Sequence, residues 1–203
     1  MAKASKKLTK KKIADKTGSG SCRLRRLEAR DIPLVQAWLS EEKMQSFIDD
    51  EKLSSSQLKR KLKKLTEQDP IEDGEVAFVV ELAGEPFAFI HLMWINWISR
   101  NAEVTLLVGP ASRNNSFAGW LLIQNTGELA FDVFNLNKIY GYIFGTNPHS
   151  LSVFGRIAKP EAKYYVQRGD LREDVHILSM HAHEYHALME QRKRTARRGR
   201  GAS

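Results

Sequence analysis

Residues 102–119 read AEVTLLVGPASRNNSFAG, and this stretch decides the fold. Ala102 to Val108 has the apolar and β-branched content of a strand, which Gly109-Pro110 ends. Ser112 to Ser116 is a polar turn. A long helix is expected from about Ala118 to Phe134, with Leu121, Leu122, Leu129, Phe131 and Phe134 as an apolar set broad enough to lie against a sheet. A strand that turns directly into a helix leaves the helix's first N–H groups, and the positive end of its dipole, facing the turn. Such a turn is an anion site. Small residues there let a diphosphate approach the backbone, and Arg113 adds a cation at the mouth.

Upstream, Glu75 to Leu82 and Pro86 to Ile98 read as two strands joined by a tight hairpin at Ala83-Gly84-Glu85. Before them, Cys22 to Glu28 alternates as a first strand. Asp31 is the expected N-cap, with Pro33 in the first turn, of a helix through Trp38. That helix carries Leu34, Val35, Trp38 and Leu39 at helical spacing. A second helix begins near Ser54–Ser56, sets Leu58, Leu62 and Leu65 on one face against lysines on the other, and stops by Asp69-Pro70. Downstream come a strand at Lys138 to Phe144, a short helix from Pro148 to Ile157, and a strand pair at Lys163 to Gln167 and Val175 to Met180. The order βαα, βββ, α, β, α, ββ predicts an α+β fold, with a mixed, mostly antiparallel sheet and helices on both faces. With 203 residues, 42% of them hydrophobic, the chain suits a single domain with one core.

The formal charge of +8 is unevenly placed. Residues 1–16 hold seven lysines and one aspartate, and residues 191–203 hold six Lys/Arg and no acid. Each tail is thus +6, which leaves the part between them at −4. Three segments are expected: a basic flexible arm at 1–21 ending in the joint TGSGS, a folded domain at 22–190, and a basic tail at 191–203. Tails of this kind, without apolar periodicity, are expected to be disordered. They serve solubility, or contact with RNA or a ribosome. Cys22 is the only cysteine, which excludes an internal disulfide and a Cys-based zinc site. The longest apolar run, Pro86 to Ile98, is broken by His91 and Asn96 and falls short of the ~20 residues a membrane-spanning helix needs. No apolar segment follows the basic N-terminus as in a secretory signal. A cytoplasmic protein without membrane contact is expected.

The 102–119 stretch resembles the core of the GNAT acetyltransferases, whose acetyl-CoA motif reads Q/R-x-x-G-x-G/A at the start of the central helix. Here Arg113-Asn114-Asn115-Ser116-Phe117-Ala118, followed by Gly119, matches at Arg113 and Ala118, and Ser116 takes the place of the middle glycine. Leu129 to Tyr142 (LAFDVFNLNKIYGY) and Asn147-Pro148-His149-Ser150 resemble the branch that acetylates N-terminal amines of ribosomal proteins. So do the opening RLRRLEARDIPLVQAWL and Gly169-Asp170 to Met180, and the resemblance spans residues 22–190. It implies acetyl-CoA as co-substrate. Its diphosphate would lie among Arg113, Asn114, Ser116, Phe117, Ala118 and Gly119. Backbone groups of Leu106, Leu107 and Val108 would align the pantetheine and polarise the thioester carbonyl. Asn147 would hydrogen-bond the pantetheine arm, with Ser150 and Phe154 on the helix beside it.

The reaction implied is direct attack of a neutral primary amine on the thioester, which needs a base for the amine's proton. Glu103 stands where the histone-acetylating branch carries its general-base glutamate; otherwise it is an ordinary exposed strand residue. Many relatives place a proton-donating tyrosine seven residues after the asparagine. Here that position is Phe154, and Ala158-Lys159 stands near the family's following G-F pair. Tyr164, Tyr165 or Ser150 are the substitutes at hand. The acceptor implied is a small amine or a protein N-terminus, and the basic tails favour one associated with RNA or the ribosome. The alternative is a catalytically degenerate GNAT fold that binds RNA or protein, supported by Ser116 and Phe154. His181, His183 and His186 invite a metal reading. On a helix only His183 and His186 would share a face, against the four ligands of a structural zinc site, so no metal is expected. Trp94 and Trp97 should point to opposite sheet faces unless a bulge intervenes, and should pack in the core or at an edge unless one walls the acceptor site; His91 reads as a satisfied core residue.

Overall fold

The sheet has eight strands in the computed structural model, which describes residues 16–17, 22–41, 53–113, 115–168 and 170–200. They are β1 (Lys16–Thr17), β2 (Cys22–Arg26), β3 (Val76–Leu82), β4 (Glu85–Asn96), β5 (Asn101–Val108), β6 (Lys138–Phe144), β7 (Lys159–Arg168) and β8 (Leu171–His181). Their order is β1-β2-β3-β4-β5-β6-β8-β7, and every neighbouring pair is antiparallel except β5 and β6. Five α-helices accompany them among the described residues: α1 (Ile32–Ser40), α2 (Ser55–Glu67), α3 (Ser116–Gly127), α4 (Pro148–Phe154) and α5 (Ala182–Arg200). This is the α+β arrangement expected from the sequence, in a single domain.

The helices divide between the two faces. Leu27, Val35, Trp38, Leu58, Leu62 and Leu65 pack with Ala77, Val79, Phe89 and Leu107, so α1 and α2 cover one face of β3–β5. On the other face Leu121, Leu122, Leu129, Phe131 and Phe134 meet Phe78, Val80, Ile90 and Leu92. The hairpin joining β3 to β4 turns at Ala83 (φ 54°) and Gly84 (φ 88°). Two successive left-handed residues give the turn whose twist matches paired strands. α2 begins at the serines expected, and Ser54 caps it: its hydroxyl accepts from the Gln57 N–H at 3.3 Å, and the Gln57 side chain accepts from the Ser54 N–H at 2.7 Å.

Four expectations are corrected. Asp31 stands before α1 but makes no side-chain cap, because its carboxylate is taken by Arg25 at 2.6 and 2.8 Å and by the Glu28 N–H at 2.9 Å. The central helix does not run unbroken to Phe134. It widens into a π-helical turn at Glu128–Val133, whose extra residue brings Leu129, Ala130, Phe131 and Phe134 together into the core. Trp94 (φ 52°, 75% exposed) lies at a bulge in β4 and is turned out to solvent instead of packing in the core, while Trp97 packs on Phe134 and donates to the Pro70 carbonyl. Residues 191–200, expected as a disordered tail, continue α5. That segment follows on Ala, Leu, Met, Glu and Gln, all good helix formers, and Tyr185, Leu188 and Met189 moor the start of the helix to the core. Apart from β1, the basic N-terminal arm lies outside the described residues. No helix among the described residues is long and apolar enough to cross a membrane.

Candidate active site

Among the described residues β5 and β6 are the only parallel neighbours, and they share three rungs: Asn101 with Lys138, Ala102 with Ile139, and Glu103 with Tyr140. Beyond that last rung no ladder joins them, and β5 continues to Val108 while β6 continues to Phe144. The facing edges therefore part into a V with unpaired backbone groups along it. Gly141 stands at its crotch, where a Cβ would lie 2.9 Å from the Val104 carbonyl oxygen. Only glycine lets the two strands come that close without a shift.

Alternation along β5 sends successive side chains to opposite faces. Val104, Leu106 and Val108 pack towards α3, whereas Leu107 is buried beneath α1 and α2. Glu103 shares the α1–α2 side, opposite Met93 on β4 and beside Tyr140 on β6. It is half-buried, and its carboxylate makes no hydrogen bond to the described residues. Burial alone pushes its pKa above the ordinary carboxylate value. Tyr140, Tyr142 and Tyr164 continue from it: the first two rings lie 6.1 Å apart edge to face, and Tyr142 and Tyr164 6.4 Å apart. None of the three belongs to the cluster under α1 and α2, and Tyr142 and Tyr164 stay 40% and 41% exposed. Burial, and next the charge of Glu103, push the Tyr140 and Tyr142 hydroxyls upward, so both stay protonated. Tyr165, the other tyrosine considered from the sequence, faces away from this group under the Arg172 guanidinium at 3.9 Å.

The wide end of the V meets α3. Asn115 caps that helix: its side-chain oxygen accepts from the Phe117 N–H at 3.0 Å and the Ala118 N–H at 3.3 Å. The Gly119 N–H already bonds the Asn115 carbonyl at 3.1 Å. Three amides expected to face the diphosphate are thus engaged, two of them by a carboxamide oxygen that stands in for an anion. Ser116 has no positive φ, so its Cβ fits the helical start without strain, and the space beside Gly119 is open. Arg113 is tethered, donating to the Val108 carbonyl at 3.2 Å and to Glu41 at 2.5 Å, while its Nη2 is buried without an acceptor. Asn114 lies outside the described residues. Across the V, Asn147 caps α4 by accepting from the Ser150 N–H at 3.2 Å, and Phe154 lies half-buried in the last turn.

Three features were missed by sequence reasoning: the Tyr140–Tyr142–Tyr164 row, Gly141 and the Asn115 cap. Tyr140, Gly141 and Tyr142 alternate within a strand that was read correctly. What hid them was the pairing of β6 with β5, which no local pattern records. His91 is a buried residue with a partner, 2.8 Å from Glu75. His186 pairs with Asp132 at 2.9 Å, and His181 and His183 lie ring to ring at 5.7 Å.

The sheet thus splits between β5 and β6, with the start of α3 at the wide end of the split and the half-buried carboxylate of Glu103 at its crotch. Residues 22–158 match the family described as Acetyltransferase (GNAT) domain, and the chain belongs to that family. It is an acetyl-CoA-dependent N-acetyltransferase for a primary amine, and the degenerate binding module is not the reading these findings favour. Among curated proteins it is similar to a spermidine N(1)-acetyltransferase of Vibrio cholerae, 27% identical over 155 residues that cover 76% of this chain and 84% of the relative. The fold is shared with a crystal structure of the Vibrio cholerae spermidine N-acetyltransferase in complex with CoA and spermine. Its TM-score is 0.70 at 23% identity, covering 81% of this chain and 98% of that one. Mutant forms of the spermidine/spermine enzyme from the same organism give a TM-score of 0.67 at 23% identity, over 83% and 98% of the two chains. These relatives are named for spermidine. The ribosomal-protein branch expected from residues 129–142 and 147–150 is not the one the comparisons return.

Proposed function

We propose that the acceptor is a small aliphatic polyamine of the spermidine class, that Glu103 takes the attacking amine's proton, and that Tyr140, Tyr142 and Tyr164 hold the cationic chain. The observation that carries this reading is Glu103 itself: a carboxylate pushed upward by burial, without a hydrogen-bond partner among the described residues, beside a row of partly exposed tyrosine rings. An ammonium over a tyrosine ring gains about 0.5–1 kcal/mol at an exposed site and more where water is excluded. Methylene spacers suit the same rings. The spermidine-acetylating relative agrees with this chemistry, and a protein N-terminus or an RNA-associated acceptor draws no comparable support from it.

Bound acetyl-CoA supplies an activated acetyl group on a thiol. The chain's own residues do the rest. The V leaves the backbone of Leu106 to Val108 to align the pantetheine arm, and Asn147 stands across from it. Arg113 and the first turn of α3 receive the diphosphate once Asn115 yields its donors. Glu103 holds the amine's proton as the nitrogen attacks. Phe154 has no proton to give, and none is essential: a thiol with a pKa near ~8.5 departs as thiolate.

Thiol release should be followed with acetyl-CoA and, separately, spermidine, spermine, an amino sugar and a peptide with a free α-amine. Saturable turnover on the polyamines alone is the expected result. Turnover on the peptide and not on spermidine would overturn the reading.

A further inference from the structure

α5 runs antiparallel to α3. Tyr185 donates to the Gln124 carbonyl at 3.1 Å, and its ring lies against Gly127, where a Cβ would come within 2.1 Å of it. Seven residues on, the Arg192 guanidinium stacks on Trp120, its carbon 3.6 Å from the ring centre. Tyr185, Leu188, Met189 and Arg192 follow i, i+3, i+4, i+7 spacing and so form one stripe of α5 facing α3. Each step up α5 therefore moves back towards the start of α3. Trp120 is four residues, about 6 Å, from Ser116, and α5 extends beyond Arg192 to Arg200. The basic segment is thereby led to the end of α3 where the proposed function puts the cofactor's phosphates.

Arg192 has no carboxylate partner among the described residues, and the first turn of α3 holds no acid. Lys193 follows it, paired with Glu190 at 3.1 Å. At the same end of α3, Arg113 Nη2 is buried without an acceptor. A guanidinium held over an indole face leaves N–H donors at its edge for another partner, and the contact orders the side chain in part before any ligand arrives. Planar, fixed donors of that kind suit a phosphate, which they can grip with two parallel hydrogen bonds.

We infer that Arg192, positioned by Trp120, is a phosphate ligand for coenzyme A, and that α5 is a cofactor-binding element rather than a solubilising tail. The inference rests on the reading that the diphosphate lies at the start of α3.

The test is calorimetric titration of coenzyme A into the full chain and into Arg192→Gln, Arg192→Lys and Trp120→Leu, with melting curves for each. Arg192→Gln should weaken coenzyme A about tenfold at low salt, the worth of a charged hydrogen bond. Arg192→Lys should recover part of the loss, and Trp120→Leu should lose a smaller factor. The KM for acetyl-CoA should rise with Kd, while the KM for the amine stays put. Repeating the titration with 3′-dephospho-coenzyme A separates the sources: a smaller loss assigns the contact to the 3′-phosphate, an equal loss to the diphosphate. Unchanged coenzyme A affinity with a lowered melting temperature would make Arg192 a packing residue and overturn the inference. So would loss of binding to a single-stranded RNA oligonucleotide with coenzyme A affinity intact. Wild-type protein that fails to bind coenzyme A would instead sink the cofactor reading itself.

Discussion

Glu103 and Tyr140 face each other across the last rung that β5 and β6 share, so the carboxylate lies where the sheet opens. That placement desolvates Glu103 without supplying it a hydrogen bond, and it sets the carboxylate's charge beside two tyrosine rings. Each of these effects raises a pKa, that of the carboxyl through burial and those of the phenols through burial and then Glu103. A half-buried acid and its aromatic neighbours thus form one electrostatic unit.

Replacing Glu103 with glutamine should lower kcat about a hundredfold or more. In the wild type, kcat/KM should fall as the pH drops through the raised pKa of Glu103, at a higher pH than an ordinary carboxylate would give; in the variant this limb disappears. Stability should move the other way. A carboxyl whose pKa is raised by folding binds more protons folded than unfolded between the two values, so stability falls as pH rises through that window. Glu103→Gln should therefore melt higher than wild type at neutral pH. The two should converge below the ordinary carboxylate range, where both folded and unfolded wild-type chains are protonated. Melting curves at the two pH values check this independently of turnover.

Asn115 spends its side chain on the two N–H groups that a diphosphate oxygen would want. Asn115→Ala should cost about 1 kcal/mol in the free protein. With saturating coenzyme A the deficit should shrink, because the cofactor takes over the vacated donors, and coenzyme A should bind more tightly to the variant. Thermal unfolding with and without coenzyme A measures both. An equal deficit in the two states would show that the amides stay with residue 115 throughout.

Gly141 is a steric necessity rather than a turn residue, since its φ is not positive. Gly141→Ala forces β6 away from the Val104 carbonyl and widens the crotch. The expected cost is about 1–3 kcal/mol of stability, as for other overpacked sites. Turnover should fall further than the stability loss explains, because Glu103 and the thioester move apart. Kinetics at a temperature where the variant is fully folded separate the two effects.

The elements were legible where the pattern is local. Leu58, Leu62 and Leu65 repeat on one face of α2 behind the serines at 54–56, and β5 is a strand by composition alone. The strand–turn–helix at 102–119 was legible as well, as β5 followed by a turn and the start of α3. Other features depend on partners far along the chain. Asp31 resembles an N-cap until Arg25 claims it, and nothing near Tyr142 announces Tyr164 on another strand. The basic residues after 190 lack apolar periodicity of their own, so their helix became visible only through Tyr185 and Arg192 against α3.

Arg25, Asp31 and Glu81 form a buried ionic group beneath α1: the guanidinium reaches Asp31 at 2.6 and 2.8 Å and Glu81 at 2.6 Å. Burial works against the charge of Asp31, but the hydrogen bond from Arg25, that from the Glu28 N–H and the nearby positive charge outweigh it and hold the pKa below the ordinary aspartate value. For Arg25 the hydrogen bond to Asp31 is the largest influence; it outweighs burial and drives the pKa upward. Removing one partner strands a buried charge, so Asp31→Ala should destabilise the chain by about 3–5 kcal/mol. An acid with a depressed folded pKa adds stability that is present above its unfolded pKa and is lost as pH falls through the folded one. The wild type should therefore lose stability steeply at acid pH, below the usual aspartate range. Asp31→Asn keeps the shape without the charge and should show a shallower acid limb. Urea titrations across that range check the slope, and an unchanged limb in Asp31→Asn would place the acid sensitivity elsewhere.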